Sequence, residues 1–419
     1  MHDFIFKNNR LLCENVSVEE IARKVGTPVF VYSRKALLDH YRKLEQTFAE
    51  IEPLICFSMK SNSNLSLCRL LVQEGAGLDI VSGGELYRAK KIKAPEQKIV
   101  YASVGKTPEE IEAGIKAGIL FFNVESLPEL EMINDVAGRL RKKQRVAVRI
   151  NPDVEAHTHH YITTAKKQNK FGIDLKTTEN IFLNLRRRFK NLDICCIHVH
   201  IGSQIERVAP FIQAVKKAVK LIERLNAHGA NITHLNIGGG LGIIYKKEQP
   251  QTAQEYARAV IPLVKNRGLK LILEPGRFIV GNAGILATKV VYVKDTAVKR
   301  FIIVDAAMND LMRPALYGAY HEIVPAIKRK KMTFRTADVV GPICESGDFL
   351  AKDRRLPAFL KQNDVIAVMS AGAYGFSMSS NYNSRRRAAE VLVSGSRFRI
   401  IRKRESYSDL VKNEVIGNE

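Results

Sequence analysis

Leu54-Ile-Cys-Phe-Ser-Met59 is an apolar run that stops at Lys60, and it is the first of eight such runs. The others are Leu78 to Val81, Lys98 to Tyr101, Ile119 to Val124, Arg145 to Ile150, Asp193 to His200, His234 to Ile237 and Lys270 to Glu274. Between them lie segments with apolar residues at helical spacing, among them Pro108 to Ala117, Leu127 to Leu140 and Ala209 to His228. Near-continuous apolar strands alternating with amphipathic helices predict repeated βα units whose parallel sheet is buried on both faces. Eight such units are the number that closes a (β/α)8 barrel.

In a barrel the C-terminal ends of all strands share one rim, where active sites form. The residues able to do chemistry fall at those ends. Lys60 follows the first strand, Asp79 and Ser82-Gly83-Gly84-Glu85 end the second, and Asn123 and Glu125 end the fourth. Arg149 and Asn151 close the fifth, His200-Ile-Gly-Ser203 the sixth, Gly238-Gly239-Gly240 the seventh and Glu274-Pro-Gly-Arg277 the eighth. Residues distant in sequence are therefore expected to converge on one pocket.

After Arg277 the pattern changes to alternating stretches, Gly284 to Val293, Phe301 to Val304, Met332 to Val339, Asp364 to Met369 and Ala389 to Val393. Period-two patterning without intervening helices predicts an antiparallel β domain, to which the segment before about residue 30 contributes a strand or a helix. The expected division is a barrel over 28–277, with 1–27 and 278–419 forming the β domain.

Composition narrows the class. The 419 residues are 46% hydrophobic, which excludes disorder, and no uninterrupted apolar stretch reaches the length of a membrane-spanning helix. The first ten residues lack the apolar core of a signal peptide, so a soluble, cytoplasmic protein is expected. Six cysteines without a CxxC spacing suggest reduced thiols rather than a disulfide framework or a zinc ribbon. The net charge of +23 would attract polyanions, but its densest runs, such as Arg186-Arg187-Arg188, Lys328 to Lys331 and Arg385-Arg386-Arg387, carry no interleaved aromatics and no recognition-helix pattern. A solvated basic surface is the reading, with no nucleic acid and no membrane as partner.

Each candidate has a plain alternative. A lysine at a desolvated barrel mouth can act as an amine nucleophile toward a carbonyl, or simply extend to solvent. The glycine run Asn236-Ile-Gly-Gly-Gly-Leu-Gly242, read as followed by a helix, suits a phosphate as well as a tight turn. Beside it, His200-Ile-Gly-Ser203 strengthens the phosphate reading. His198 and His200 could begin a metal site completed by His157, His159 and His160, as in barrel hydrolases, which keeps a metal-dependent hydrolase as a remote alternative. Glu274 can keep a pyridine nitrogen protonated, while Arg277 can clamp a carboxylate or phosphate; the alternative is an ion pair between them. Gly341 to Asp348, containing Cys344 and Glu345, and Ala371 to Met378, containing Tyr374, are small-residue loops with embedded polar groups, which is where function is commonly grafted.

Taken together, these segments resemble the fold-type III pyridoxal-phosphate decarboxylases, and within them the branch acting on diaminopimelate. The likeness runs from about Thr27 to Val393. It rests on Phe57-Ser-Met-Lys60-Ser-Asn62, His200 to Gln204, Gly238 to Gly240, Glu274 to Arg277, Met312-Arg-Pro-Ala-Leu-Tyr317 and, most specifically, Gly341-Pro-Ile-Cys-Glu-Ser-Gly-Asp348. Ser58 stands where the family usually has alanine, Thr164-Ala165 where Thr-Gly is usual before Asn169 to Gly172, and Arg386 where proline is usual.

The resemblance implies pyridoxal 5'-phosphate as cofactor, no metal, and decarboxylation of meso-2,6-diaminopimelate to L-lysine and CO2 as the last step of lysine biosynthesis. A related decarboxylase for ornithine, arginine or carboxynorspermidine is the nearest alternative, and a non-enzymatic regulator of such an enzyme a further one. By the same resemblance Lys60 would carry the cofactor, with Asp79, His200, Ser203, Gly240, Glu274, Gly276, Arg277 and Tyr374 around it. Arg277, Arg313, Tyr317, Glu345 and Tyr374 would bind substrate, and Cys344 would donate a proton. A homodimer is implied, with Cys344 and Glu345 arriving from the other subunit.

Overall fold

The structure of the protein is a computed structural model that describes residues 4–154 and 170–417. His157, His159, His160, Thr164, Ala165 and Asn169, which entered the sequence reading, lie outside the described residues. Eight strands form a closed barrel: Leu54–Ser58, Gly77–Ile80, Ile99–Tyr101, Phe121–Val124, Gln144–Arg149, Leu192–His198, His234–Asn236 and Lys270–Leu273. All neighbours pair in parallel, and the last strand closes on the first through Ile272 opposite Leu54. These are the eight runs read from the sequence.

Their apolar character follows from burial on both sides. Cys56, Val100, Phe121, Ala147, Cys196 and Ile272, one from each of six strands, pack into a single buried cluster. Burying each larger side chain of this kind contributes about 1.5–3 kcal/mol. The outer helices are punctuated as the sequence suggests. Helix Pro108–Ala117 begins in a capping box between Thr107 and Glu110, carries Pro108 in its first turn, and ends at Gly118 in the left-handed conformation at φ 75°. Within it, a Cβ on Gly114 would lie 2.5 Å from Phe122 Cζ, so glycine is what lets this helix approach its strand.

The backbone clusters into two units, one of Met1–Asp39, Ile244–Glu248 and Ile279–Glu419, the other of His40–Ile243 and Gln249–Phe278. The first unit is built on a nine-stranded sheet whose main path runs Phe349–Pro357, Phe334–Val340, Arg300–Val304, Gly284–Asp295, Val29–Ser33, Ala389–Ser394 and Arg397–Arg402. Val29–Ser33, which lies just past the 1–27 segment and within the stretch read as barrel, is a strand of this sheet, and it sits inside the sheet rather than at its edge. The antiparallel expectation holds for most of the sheet, with parallel pairs within it. Val29–Ser33 runs parallel to Ala389–Ser394, and Arg300–Val304 runs parallel to Phe334–Val340, so the sheet is mixed though mostly antiparallel. Val29, Val31, Ile285, Ala287, Ala367, Val391 and Val393 form the core beneath it. No helix among the described residues is long and apolar enough to cross a membrane.

Candidate active site

Lys60 lies in a short 3-10 turn, Met59–Ser61, that caps the first barrel strand, and its side chain is 39% exposed. Its Nζ is 3.6 Å from Asp79 Oδ2, at the end of the second strand, where the carboxylate is fully buried. Ser58 Oγ donates to the same oxygen at 2.6 Å. Burial, followed by the nearby Glu274 carboxylate, pushes the Asp79 carboxyl up to about 6, against the opposing pull of Lys60, the Ser58 hydroxyl and His198. Glu85, on the helix that Ser82 caps, accepts from Val81 N at 2.8 Å, and burial raises its carboxyl to about 7.

Glu274 carries the opposite shift. Asn236 Nδ2 at 2.6 Å and Asn123 Nδ2 at 2.8 Å both donate to its Oε1, and His198 Nε2 lies 3.3 Å from its Oε2. Burial alone would raise this carboxyl, but His198, Lys60 and the Asn236 amide outweigh it and hold it well below the carboxylate range. Two carboxylates on one rim are thus driven apart by their surroundings, a recurring mark of acid and base roles in active sites. Asn123, His198 and Asn236 were visible as polar strand-end residues, but nothing in the sequence said they converge on Glu274. That contact engages His198 with the carboxylate; among the described residues no group of three or more His, Cys, Asp or Glu could hold a metal ion.

His200 lies just beyond its strand, and its Nδ1 accepts from Gly239 N at 3.2 Å. Burial, followed by Arg149 and Lys60, holds its pKa well below the ordinary histidine value, so the ring is neutral. With Nδ1 accepting, the proton belongs on Nε2. The glycines leave the space this requires. A Cβ on Gly238, at φ 64°, would lie 2.7 Å from His200 Nδ1, and one on Gly239 would lie 2.3 Å from Glu274 O. Positive φ at Gly238 and Gly240 turns the chain away from a helix, and the next helix begins only at Ala253. The sequence expectation of a helix directly after this glycine run is therefore corrected. Arg277 Nη2 donates to Ser203 Oγ at 3.0 Å, which joins the sixth and eighth strand ends in a cationic corner. Gly276 comes close to the first strand end, since a Cβ there would sit 3.1 Å from that of Ser58.

Arg149 Nη1 pairs with Glu125 Oε1 at 2.6 Å within the barrel. Lys106 did not enter the sequence reading. Its amine is wholly buried and donates to Asn123 O, Ser103 O and Glu129 Oε1 at 2.9, 2.8 and 2.5 Å. It thereby fixes the backbone of the residue whose amide holds Glu274. Lys106→Met is expected to destabilise the fold by about 3 kcal/mol, because it strands the buried Glu129 carboxylate and two carbonyls. Chemical denaturation checks this; a loss under about 1 kcal/mol would refute it.

On the sheet unit, Arg313 opens the short helix Arg313–Tyr317 and is buried. Its Nη1 is 2.7 Å from His321 Nε2, while His321 Nδ1 is 2.8 Å from Met369 O. The carbonyl fixes the proton on Nδ1, leaving Nε2 to accept from the guanidinium, which also lies over the Tyr245 ring at 4.7 Å. His321 had no motif to mark it. Tyr317 ends the same helix and is half-buried, as is Tyr374, whose φ of 56° follows a small-residue loop. Cys344 and Glu345 are exposed. Their loop is held by Asp348, which accepts from Met308 N and Ile343 N at 2.7 and 2.8 Å, and by Asn383 Oδ1, which accepts from Cys344 N at 2.7 Å. Tyr382 Oη donates to Glu345 Oε2 at 3.3 Å. The remaining five cysteines are buried, and no two of the six are joined in a disulfide.

Residues 34–281 match the family model described as pyridoxal-dependent decarboxylase, pyridoxal binding domain. The chain is 48% identical over 408 residues to the diaminopimelate decarboxylase of Aquifex aeolicus, covering 97% of this chain and 96% of that one. It is 47% identical to that of Neisseria meningitidis serogroup A, covering 97% and 99%. Among solved structures, diaminopimelate decarboxylase from Helicobacter pylori complexed with L-lysine superposes with a TM-score of 0.91 at 40% identity, covering 94% of this chain and 98% of that one. The M. jannaschii enzyme in co-complex with L-lysine gives 0.93 at 38%, covering 99% and 98%.

Proposed function

This chain belongs to the pyridoxal-dependent decarboxylases, among the diaminopimelate decarboxylases, and from that membership we propose that it converts meso-2,6-diaminopimelate to L-lysine and CO2. The observation that carries the reading is the opposed pair of carboxylates on one barrel rim, Glu274 held ionised and Asp79 beside the Lys60 amine. The donor set fits pyridoxal 5'-phosphate. An ionised buried carboxylate suits its ring nitrogen, a neutral imidazole suits its ring face, and a guanidinium with a serine and a glycine cradle suits its phosphate. When bound, this cofactor supplies an electron-withdrawing ring conjugated to the carbon that loses CO2.

The chain's own residues then have distinct tasks. Lys60 would hold the cofactor through its amine. Glu274 keeps a proton on the ring nitrogen, because its ionised carboxylate stabilises that cation. His200, neutral and braced by Gly239 N, packs on the ring without adding charge. Ser203, Gly240, Gly276 and Arg277 receive the phosphate, Asp79 steadies the Lys60 side, and Tyr374 reaches both cofactor and substrate. Arg277, Arg313 and Tyr317 receive substrate carboxylate, where fork-like guanidinium geometry adds orientation to affinity. Glu345 receives the distal ammonium.

Cys344 delivers a proton to the carbon that has lost CO2. Cys344→Ala is expected to lower kcat by about 100-fold while cofactor affinity stays within a few-fold, the signature of a general acid. Equal losses in both would contradict this role. A homodimer in which Cys344 and Glu345 serve the partner's barrel is part of the proposal, as are the division into a barrel and a β domain built from both ends of the chain, and a cytoplasmic location. Five buried cysteines outside any disulfide accord with a reducing compartment.

The test is a substrate panel on purified, pyridoxal-loaded protein. CO2 release with L-lysine formation from meso-2,6-diaminopimelate, and little from ornithine or arginine, is expected. Release from ornithine or arginine with diaminopimelate inert would overturn the assignment.

A further inference from the structure

We propose that Ser58 is a positioning residue for this site: its hydroxyl holds the Asp79 carboxylate ionised and turned toward Lys60 Nζ, and so keeps a negative charge beside the nitrogen that carries the cofactor. The inference rests on the assignment of Lys60 made above and adds a residue to it. Ser58 occupies a position where the family it resembles usually has alanine, so the hydroxyl is an addition to the site.

The geometry is specific. Ser58 is 2% exposed, and both its backbone groups are engaged: its N donates to Pro275 O at 3.0 Å, and its O accepts from Ser61 Oγ at 2.7 Å. The side chain is therefore aimed by the strand end, and Oγ meets Asp79 Oδ2 at 2.6 Å. The same oxygen is 3.6 Å from Lys60 Nζ. Asp79 Oδ1 is buried with no hydrogen-bond partner among the described residues, so the serine is the neutral donor that compensates for desolvation.

The other titratable groups facing Asp79 define what the hydroxyl works against. Glu274 on the last strand opposes ionisation, while Lys60 and His198 favour it. Glu85 on the following helix and Cys56 on the first strand also couple to Asp79. Burial and the Glu274 carboxylate raise the Asp79 carboxyl to about 6 even with the Ser58 hydrogen bond in place, so that bond bears directly on how much of it is ionised. Removing the donor raises that value further and depletes the carboxylate. A less negative neighbour then lets the Lys60 nitrogen lose its proton at lower pH.

The experiment follows the visible absorbance of the full-length, pyridoxal-loaded protein against pH for wild type, Ser58→Ala, Ser58→Thr, Asp79→Asn and the Ser58→Ala/Asp79→Asn double variant. Ser58→Ala is expected to lower the midpoint by about one pH unit, the size of a single charge-assisted hydrogen bond. Ser58→Thr, which keeps the hydroxyl, should stay near wild type. Asp79→Asn should lower the midpoint further and make Ser58→Ala silent. An unmoved midpoint in Ser58→Ala, or a shift that persists on Asp79→Asn, overturns the inference, since mere packing loss would not depend on the carboxylate.

Infrared spectra of the cofactor-stripped full chain give a second readout if loading is impaired. The protonated-carboxyl band abolished by Asp79→Asn should persist to higher pH in Ser58→Ala, and a band with unchanged pH dependence would equally overturn it. Protein that never develops the absorbance, or carries it on a residue other than Lys60, overturns the assignment of Lys60 and this inference with it. Absorbance at Lys60 with an unmoved midpoint overturns this inference alone.

Discussion

Lys60→Ala is expected to lower turnover by roughly four orders of magnitude, at the upper end of what a single proton-transfer or covalent group contributes. The borohydride-reduced adduct at position 60 should vanish as well. Cofactor affinity should fall much less, because Arg277, Ser203 and the glycine cradle do not depend on the lysine. The substitution also leaves Asp79 buried without the cation 3.6 Å away, so its carboxyl should rise above its present value of about 6. An acid raised in the folded state binds a proton that the unfolded chain releases. Stability therefore falls as pH rises from the ordinary value of 3.8 toward the folded value, and in Lys60→Ala that window should extend to higher pH. Mass spectrometry of the reduced protein, with melting curves against pH, reads both effects. An adduct retained at another residue with turnover intact would refute the role.

What the sequence made legible divides along physical lines. The barrel was readable because each strand is buried on both faces and so writes an uninterrupted apolar run, as in Phe121–Val124. The sheet unit was readable only where one face is apolar. Phe349–Pro357 contains Lys352, Asp353, Arg354 and Arg355, and Arg397–Arg402 contains three arginines, so both strands read as charged surface and went unassigned. Each pairs antiparallel with the strand just before it, Phe334–Val340 or Ala389–Ser394, and that pairing supplies the order that local apolar pattern does not.

The site shows the same division. Lys60, His200, the triple glycine and Glu274 stood out because chemistry-bearing residues at strand ends are conspicuous. Lys106 and His321 did not, because their roles lie in contacts that only the fold creates, Lys106 with Asn123 O and Glu129, and His321 with the Arg313 guanidinium and Met369 O. The misread helix after Gly240 has a conformational cause. Glycine-rich segments permit both a helix entry and a left-handed turn, and only the packing of Gly238 and Gly239 against His200 and Glu274 selects the turn.

Glu274→Gln isolates charge from shape, and it should cost about 10²- to 10³-fold in kcat, comparable to removing one preorganised electrostatic partner elsewhere. The amide oxygen of glutamine can still accept from Asn236 and Asn123, whose Nδ2 atoms sit 2.6 and 2.8 Å from Oε1, so the side chain keeps its place. What disappears is the anion that His198, Lys60 and Asn236 hold ionised in a buried setting. Without it a pyridine nitrogen has no reason to stay protonated in a dry pocket, and the ring withdraws electrons less strongly. Glu274→Asp, which keeps the charge but shortens the reach, should lose less.

The sign of the pH effect follows. Because the native carboxyl lies below the ordinary range, its stabilising contribution is complete above the unfolded carboxylate value and is lost only as pH falls through the folded one. Glu274→Gln should therefore narrow the stability difference between neutral and acidic pH, while lowering kcat across the whole neutral range. A glutamine variant with native kcat would mean that the ring nitrogen takes its proton from somewhere other than this carboxylate, and the assignment of the rim's two acids would have to be reversed.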